Sequence, residues 1–170
     1  MSCCNRRALL VGSLAVLGGC GFRPLYGGGG DAGAGRLFES VRVEREQGEA
    51  GFRLHESLVR RLRPTTGAAP LVLTTQTRLI RNSLAIEEDD QITRFNLTVI
   101  TRYTLRRPGG APSAAPLATG EVRSIAAYNA TASQYATLVA ERQSVRRATE
   151  EIADKIVKRL ALAYDPAWGA

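Results

Sequence analysis

Residues 92–106, ITRFNLTVITRYTLR, decide the fold. Phe95, Leu97, Val99, Tyr103 and Leu105 fall at alternate positions, while Arg94, Asn96, Thr98, Arg102, Thr104 and Arg106 lie between them, with Ile100 as the exception. A period of two belongs to a β-strand, whose successive side chains point to opposite faces. One face of this strand therefore joins a core. The other is polar and basic, which makes it either a solvated surface or a recognition surface.

On its amino-terminal side, LVLTTQTRLIRNSLAI (71–86) is rich in Thr, Leu and Ile and reads as a second long strand. Its alternation breaks near Arg81 to Ser83, which predicts a bulge there. The acidic cluster Glu87 to Asp90 between the two strands reads as a solvated hairpin turn; four adjacent carboxylates without a glycine or spaced ligands do not form a calcium loop. On the carboxyl side, PGGAPSAAP (108–116) is a loop by composition, and residues 117–128 hold a further strand with less regular alternation.

Two segments change period. FRLHESLVRRLR (52–63) places Leu54, Leu58 and Leu62 four apart and is followed by Pro64, an amphipathic helix with one apolar stripe. Residues 133–162 place Leu138, Val145, Ile152, Ile156 and Leu160 along one side of a long helix whose other side carries Arg142, Arg146, Arg147, Lys158 and Arg159 among acids. Nearer the amino terminus, Leu37, Val41 and Val43 alternate with polar residues, so residues 36–46 read as a first strand. The predicted order is strand, helix, three strands, helix. Four strands with one apolar face need a cover, so the economical arrangement is an α+β two-layer sandwich: a four-stranded, mostly antiparallel sheet covered by two helices, over residues 36–164, with 165–170 as a frayed tail.

The amino terminus has a different logic. Asn5, Arg6 and Arg7 form a positive start, and Ala8 to Leu17 an apolar run about half the ~20 residues a spanning helix needs. Residues 1–19 read as a signal peptide. Leu17-Gly18-Gly19-Cys20 resembles the lipobox of bacterial lipoproteins, which implies that the Cys20 thiol is acylated and the leader cut before it. One acyl chain anchors marginally, whereas two or three hold firmly. In Gram-negative members of that class an aspartate after the cysteine signals retention at the inner membrane. Gly21 stands there instead, which implies the outer membrane, with the domain facing the periplasm. Residues 20–35 then form a lipidated anchor and a glycine-rich tether.

Composition narrows the chemistry. All three cysteines lie within the first twenty residues and the only histidine is His55, so the body of the chain offers no disulfide and no thiolate or histidine metal cluster. No G-x-S-x-G elbow or P-loop occurs, and no cofactor is implied. Neither His55, at the border of a helix stripe, nor Glu56 marks an active site. The formal charge is +7, and +5 once Arg6 and Arg7 leave with the leader; the basic residues are nearly all arginine, a bidentate phosphate binder that a GC-rich genome also supplies.

The lipobox followed directly by Gly21-Phe22-Arg23-Pro24-Leu25-Tyr26-Gly27, the tether, the element order and the NATASQYA entry (129–136) to the last helix together resemble the LptE family of lipopolysaccharide-assembly lipoproteins. That resemblance implies a non-enzymatic outer-membrane protein that plugs and helps assemble the LptD β-barrel and takes part in delivering lipopolysaccharide to the outer leaflet. Phe22, Leu25 and Tyr26 are then expected at lipid headgroups or the barrel wall. No motif fixes the ligand-binding residues; Arg78, Arg81, Arg94 and Arg102, on the two central strands, are the candidates for lipopolysaccharide. Two alternatives remain at this point: an auxiliary lipoprotein of an envelope lipid-transporting ABC system, and an envelope hydrolase using an acidic pair such as Glu87 with Asp90.

Overall fold

The computed structural model describes residues 34–64, 71–86, 92–109, 114–165 and 168. The leader, Cys20, the segment 21–27, most of the tether and Glu87 to Asp90 lie outside the described residues. The elements are α1 (Ala34–Ser40), β1 (Val41–Val43), α2 (Glu49–Leu62), β2 (Leu71–Ile86), β3 (Ile92–Arg106), β4 (Ala118–Asn129) and α3 (Gln134–Ala163).

The sheet runs in the order β1-β2-β3-β4. β1 is parallel to β2, pairing Val41 with Leu71 and Val43 with Leu73, and the other two pairs are antiparallel. The architecture is therefore the α+β sandwich that the sequence predicts, with one correction. Residues 34–40 are helical and only Val41 to Val43 form a strand, so three helices rather than two are present among the described residues. Leu37 and Val41 are four apart as well as alternating with polar neighbours. Helical geometry lets Leu37 and Phe38 both reach the core, at 1% and 9% exposure, which adjacent positions in a strand cannot do.

Leu54, Leu58 and Leu62 of α2 and Val145, Ile152, Ile156 and Leu160 of α3 are buried against Leu71, Leu73, Leu97, Val99, Leu105 and Val122 of the sheet. α2 starts at Glu49, behind a left-handed Gly48, and ends at Arg63, whose φ of 47° closes the helix through an N–H bond to the Val59 carbonyl. Arg61 reaches across to α3 and holds both carboxylate oxygens of Asp154, at 2.5 and 3.2 Å. The NATASQYA segment is a capped helix entry. Ser133 accepts from the Ala136 N–H, and the Thr137 hydroxyl accepts from the Thr131 N–H at 3.0 Å.

Polar residues are threaded through the core face, and among the described residues no buried side-chain polar atom lacks a hydrogen-bond partner. Thr101, fully buried on β3, sits 3.1 Å from the Thr77 hydroxyl of β2. Thr77 in turn donates its hydroxyl at 2.9 Å, and its backbone N–H, to the Glu46 carboxylate. Thr75 donates to the same carboxylate at 2.9 Å. Glu46 thus extends the work of β1 along the β2 edge by side chain, after the backbone has turned away.

Candidate functional site

The described helices lie on one side of the sheet, and among the described residues nothing covers the other side. The registers assign its residues in rows. Gln76, Arg102 and Glu121 form one row; Arg78, Ile100 and Arg123 the next; Ile80, Thr98 and Ile125 the third. Arg102 donates to Glu121 at 2.8 Å. Arg78, Arg94 and Arg123 are exposed, and their guanidinium groups have no hydrogen-bond or salt-bridge partner among the described residues. Ile80 and Ile125 are 37% and 53% exposed, yet Thr98 between them is buried by their flanks.

The open face is thus an apolar isoleucine patch bordered by three unpaired arginines, Arg78, Arg94 and Arg123, and by Arg102, tethered to a glutamate. Such a surface is suited to binding. Guanidinium forks donate paired hydrogen bonds to phosphate or carboxylate oxygens, and isoleucines pack against hydrocarbon. No group of three His, Cys, Asp or Glu that could hold a metal occurs among the described residues. His55 lies with its Nδ1 3.3 Å from the carbonyl oxygen of Glu44, the residue that follows β1.

Of the four arginines singled out from the sequence, the structure brings Arg78, Arg94 and Arg102 onto this face. Arg81 goes to the other side. Its side chain forms an ion pair with Glu141 of α3, its Nε at 2.7 Å from the carboxylate. The parity of the strand carries this outcome: 78 and 81 are an odd number of residues apart, and the register shift lies beyond both, between Ser83 and Ala85. Beside that ion pair, burial first and the Glu141 charge second push the Tyr128 phenol up, while Arg81 pulls it down. Its ring stacks on Phe95 with centroids 5.3 Å apart.

Sequence reasoning missed Arg123, which sits across Ile100 from Arg78. Its strand alternates weakly, so its face was not readable on its own. Ile100, out of place in the strand pattern, was the available signal that the polar face holds an apolar centre.

The fold is shared with solved structures. A lipoprotein from Caulobacter crescentus CB15 superposes with a TM-score of 0.61 at 22% identity, covering 76% of this chain and 93% of that one. The rare lipoprotein B from Shewanella oneidensis does so with a TM-score of 0.55 at 18% identity, over 72% and 92% of the two chains. Lipoprotein B from Nitrosomonas europaea gives 0.52 at 13% identity, over 71% and 79%. At these identities the likeness is one of fold. No curated protein sequence matches the chain. No helix among the described residues is long and apolar enough to cross a membrane. The family model LptE, described as lipopolysaccharide-assembly, matches residues 38–160, from α1 to the last turn of the α3 core stripe, and the chain belongs to that family.

Proposed function

We propose that this protein is a lipopolysaccharide-assembly lipoprotein of the outer membrane, held by acyl chains on Cys20 and facing the periplasm. It plugs and helps assemble an LptD β-barrel and takes part in passing lipopolysaccharide to the outer leaflet. It acts by binding and scaffolding, without catalysing a reaction. The family match over residues 38–160 carries this reading. The open sheet face supports it, because unpaired arginines suit both the polar interior of a barrel and the phosphates of lipid A, while Ile80, Ile100 and Ile125 suit an acyl chain.

Lipopolysaccharide contacts are assigned to Arg78, Arg94 and Arg102, joined by Arg123. Arg81 is assigned to the ion pair with Glu141. The test is a binding assay with purified lipopolysaccharide on the double variant Arg78→Glu, Arg123→Glu, compared with Arg81→Gln. Affinity falls by tenfold or more in the former and holds in the latter, since each lost charge-assisted pair is worth roughly 1.5–3 kcal/mol. Unchanged affinity in the double variant removes the open face from the function. Stoichiometric recovery of a β-barrel from solubilised outer membrane tests the partner. Loss of both fatty-acid label and membrane attachment in Cys20→Ala tests the anchor.

A further inference from the structure

The two edges of the sheet are treated differently. On β4 the outward carbonyls of Glu121 and Arg123 accept hydrogen bonds from Arg159 at 2.6 Å and Lys155 at 2.8 Å, and that of Ala127 accepts from Ser144 at 3.3 Å, all from α3. A strand arriving there has to displace these side chains from three of the outward carbonyls, although the Ile125 carbonyl and the outward N–H groups have no partner among the described residues. On β2 the odd-numbered residues point outward, as the bond from the Glu44 N–H to the Leu73 carbonyl and that from the Thr77 N–H to Glu46 establish. β1 covers this edge as far as Leu73, and Glu46 reaches Thr77. Beyond Thr77 the cover ends. Even residues Arg78, Ile80 and Asn82 pair with β3, so by antiparallel alternation the N–H and C=O of Leu79 and Arg81 face outward, without a hydrogen-bond partner among the described residues. The bulge after Ser83 closes the stretch. About 17 Å of edge, five residues long, is left open.

We propose that this edge is a docking site for an extended acidic segment of a partner protein, added as a fifth strand. The inference is independent of lipopolysaccharide binding. Natural sheets guard their edges; here α3 side chains occupy three outward carbonyls of β4, and β1 with Glu46 covers the first half of β2, while no described residue caps Leu79 to Ser83. The side chains specify the occupant. On the open face an incoming strand lies beside Arg78, unpaired, and beside Ile80, 37% exposed, two positions apart. It therefore needs an acidic residue two positions from an apolar one. The other face already holds Arg81 with Glu141 and asks for a neutral residue. A second copy of this chain fits poorly, because it would bring two sets of Arg78 and Arg81 within a few residues of each other.

The experiment measures amide hydrogen exchange by NMR on the full chain in detergent, with two capped pentapeptides, TETVT and TKTVT, as probes. Without peptide, the Leu79 and Arg81 amides exchange much faster than that of Ile80, which is bonded to Thr98. With TETVT at ten times its Kd, exchange at Leu79 and Arg81 slows about tenfold, and TKTVT at the same concentration has a smaller effect. Leu79→Pro deletes an outward donor without touching the β2–β3 ladder; it abolishes the TETVT effect at Arg81 while Ile80 stays protected. Arg78→Glu reverses the preference between the two peptides. No slowing by TETVT, or equal slowing by both peptides, overturns the proposal. So does protection that rises with chain concentration alone, which makes a second copy the occupant. Lipopolysaccharide binding measured on Leu79→Pro separates this inference from the proposed function, since that variant keeps Arg78, Arg94, Arg102 and Arg123.

Discussion

The side chain of Glu46 lies across Gly51: a Cβ built on Gly51 would stand 2.7 Å from Cγ of Glu46 and 2.9 Å from its Cβ. Gly51 is buried in the first turn of α2, where alanine would ordinarily favour the helix by ~1 kcal/mol. The glycine is there for clearance rather than for turning. Gly51→Ala is expected to destabilise the protein by about 1 kcal/mol net, the overpacking cost outweighing the gain in propensity. The same variant should speed exchange of the Thr77 amide, which loses the Glu46 carboxylate. Denaturant unfolding with exchange at Thr77 checks both effects; increased stability with Thr77 still protected would show that Glu46 has room to move.

Gly120 plays the matching part on β4. Its cross-strand partner is Tyr103, whose hydroxyl oxygen would lie 2.7 Å and Cζ 2.9 Å from an added Cβ. Tyr103 is buried, so its ring cannot swing aside into solvent. Gly120→Val is expected to cost about 1–3 kcal/mol despite valine's preference for strands, measured as a lower denaturation midpoint. Gly120→Val with Tyr103→Ala should recover part of the overpacking cost, a coupling that a double-mutant cycle reads directly.

Arg63 closes α2 in the left-handed region, at φ 47°, where a side chain is strained and glycine is not. Arg63→Gly should therefore raise stability by up to about 1 kcal/mol, the relief of strain being partly offset by the greater freedom of glycine in the unfolded chain. Its side chain is exposed, so little packing is lost. Thermal unfolding of the variant provides the comparison, and a lower midpoint would contradict this account of the cap.

Glu151 carries a pH dependence. The hydrogen bond from Lys155 first, then that from the Ser124 hydroxyl at 2.6 Å, hold its carboxyl below the usual range. The folded chain thus favours the charged form. The resulting stability is fully present above the unfolded carboxyl's pKa and is lost as pH falls through the lower folded value. The group is 53% exposed, so its worth is about 1 kcal/mol or less. Glu151→Gln should be less stable than the parent by that amount at neutral pH, and the gap should close in strongly acidic buffer. Titrating stability against pH for both chains tests the sign.

Most of the layout was legible because long elements repeat their period many times. β2 and β3 show their faces over 16 and 15 residues, and α3 over 30, so single exceptions do not hide the pattern. α1 was not legible. Seven residues give two turns, and Leu37, Phe38 and Val41 satisfy a strand and a helix almost equally until the sheet's side chains choose. Thr101 was unreadable as core for a different reason: its burial depends on a hydroxyl 24 residues away in Thr77, which local patterning does not contain. The arginine set was partly legible. Composition pointed to the central strands, strand parity could have removed Arg81, and Arg123 needed the register between β3 and β4 to be known.

The side-chain donors that α3 places on the β4 carbonyls make the two edges of the sheet unequal. A strand arriving at β4 has to displace Arg159 and Lys155 from the Glu121 and Arg123 carbonyls before it can pair with them, a cost that a strand arriving at Leu79 and Arg81 does not meet.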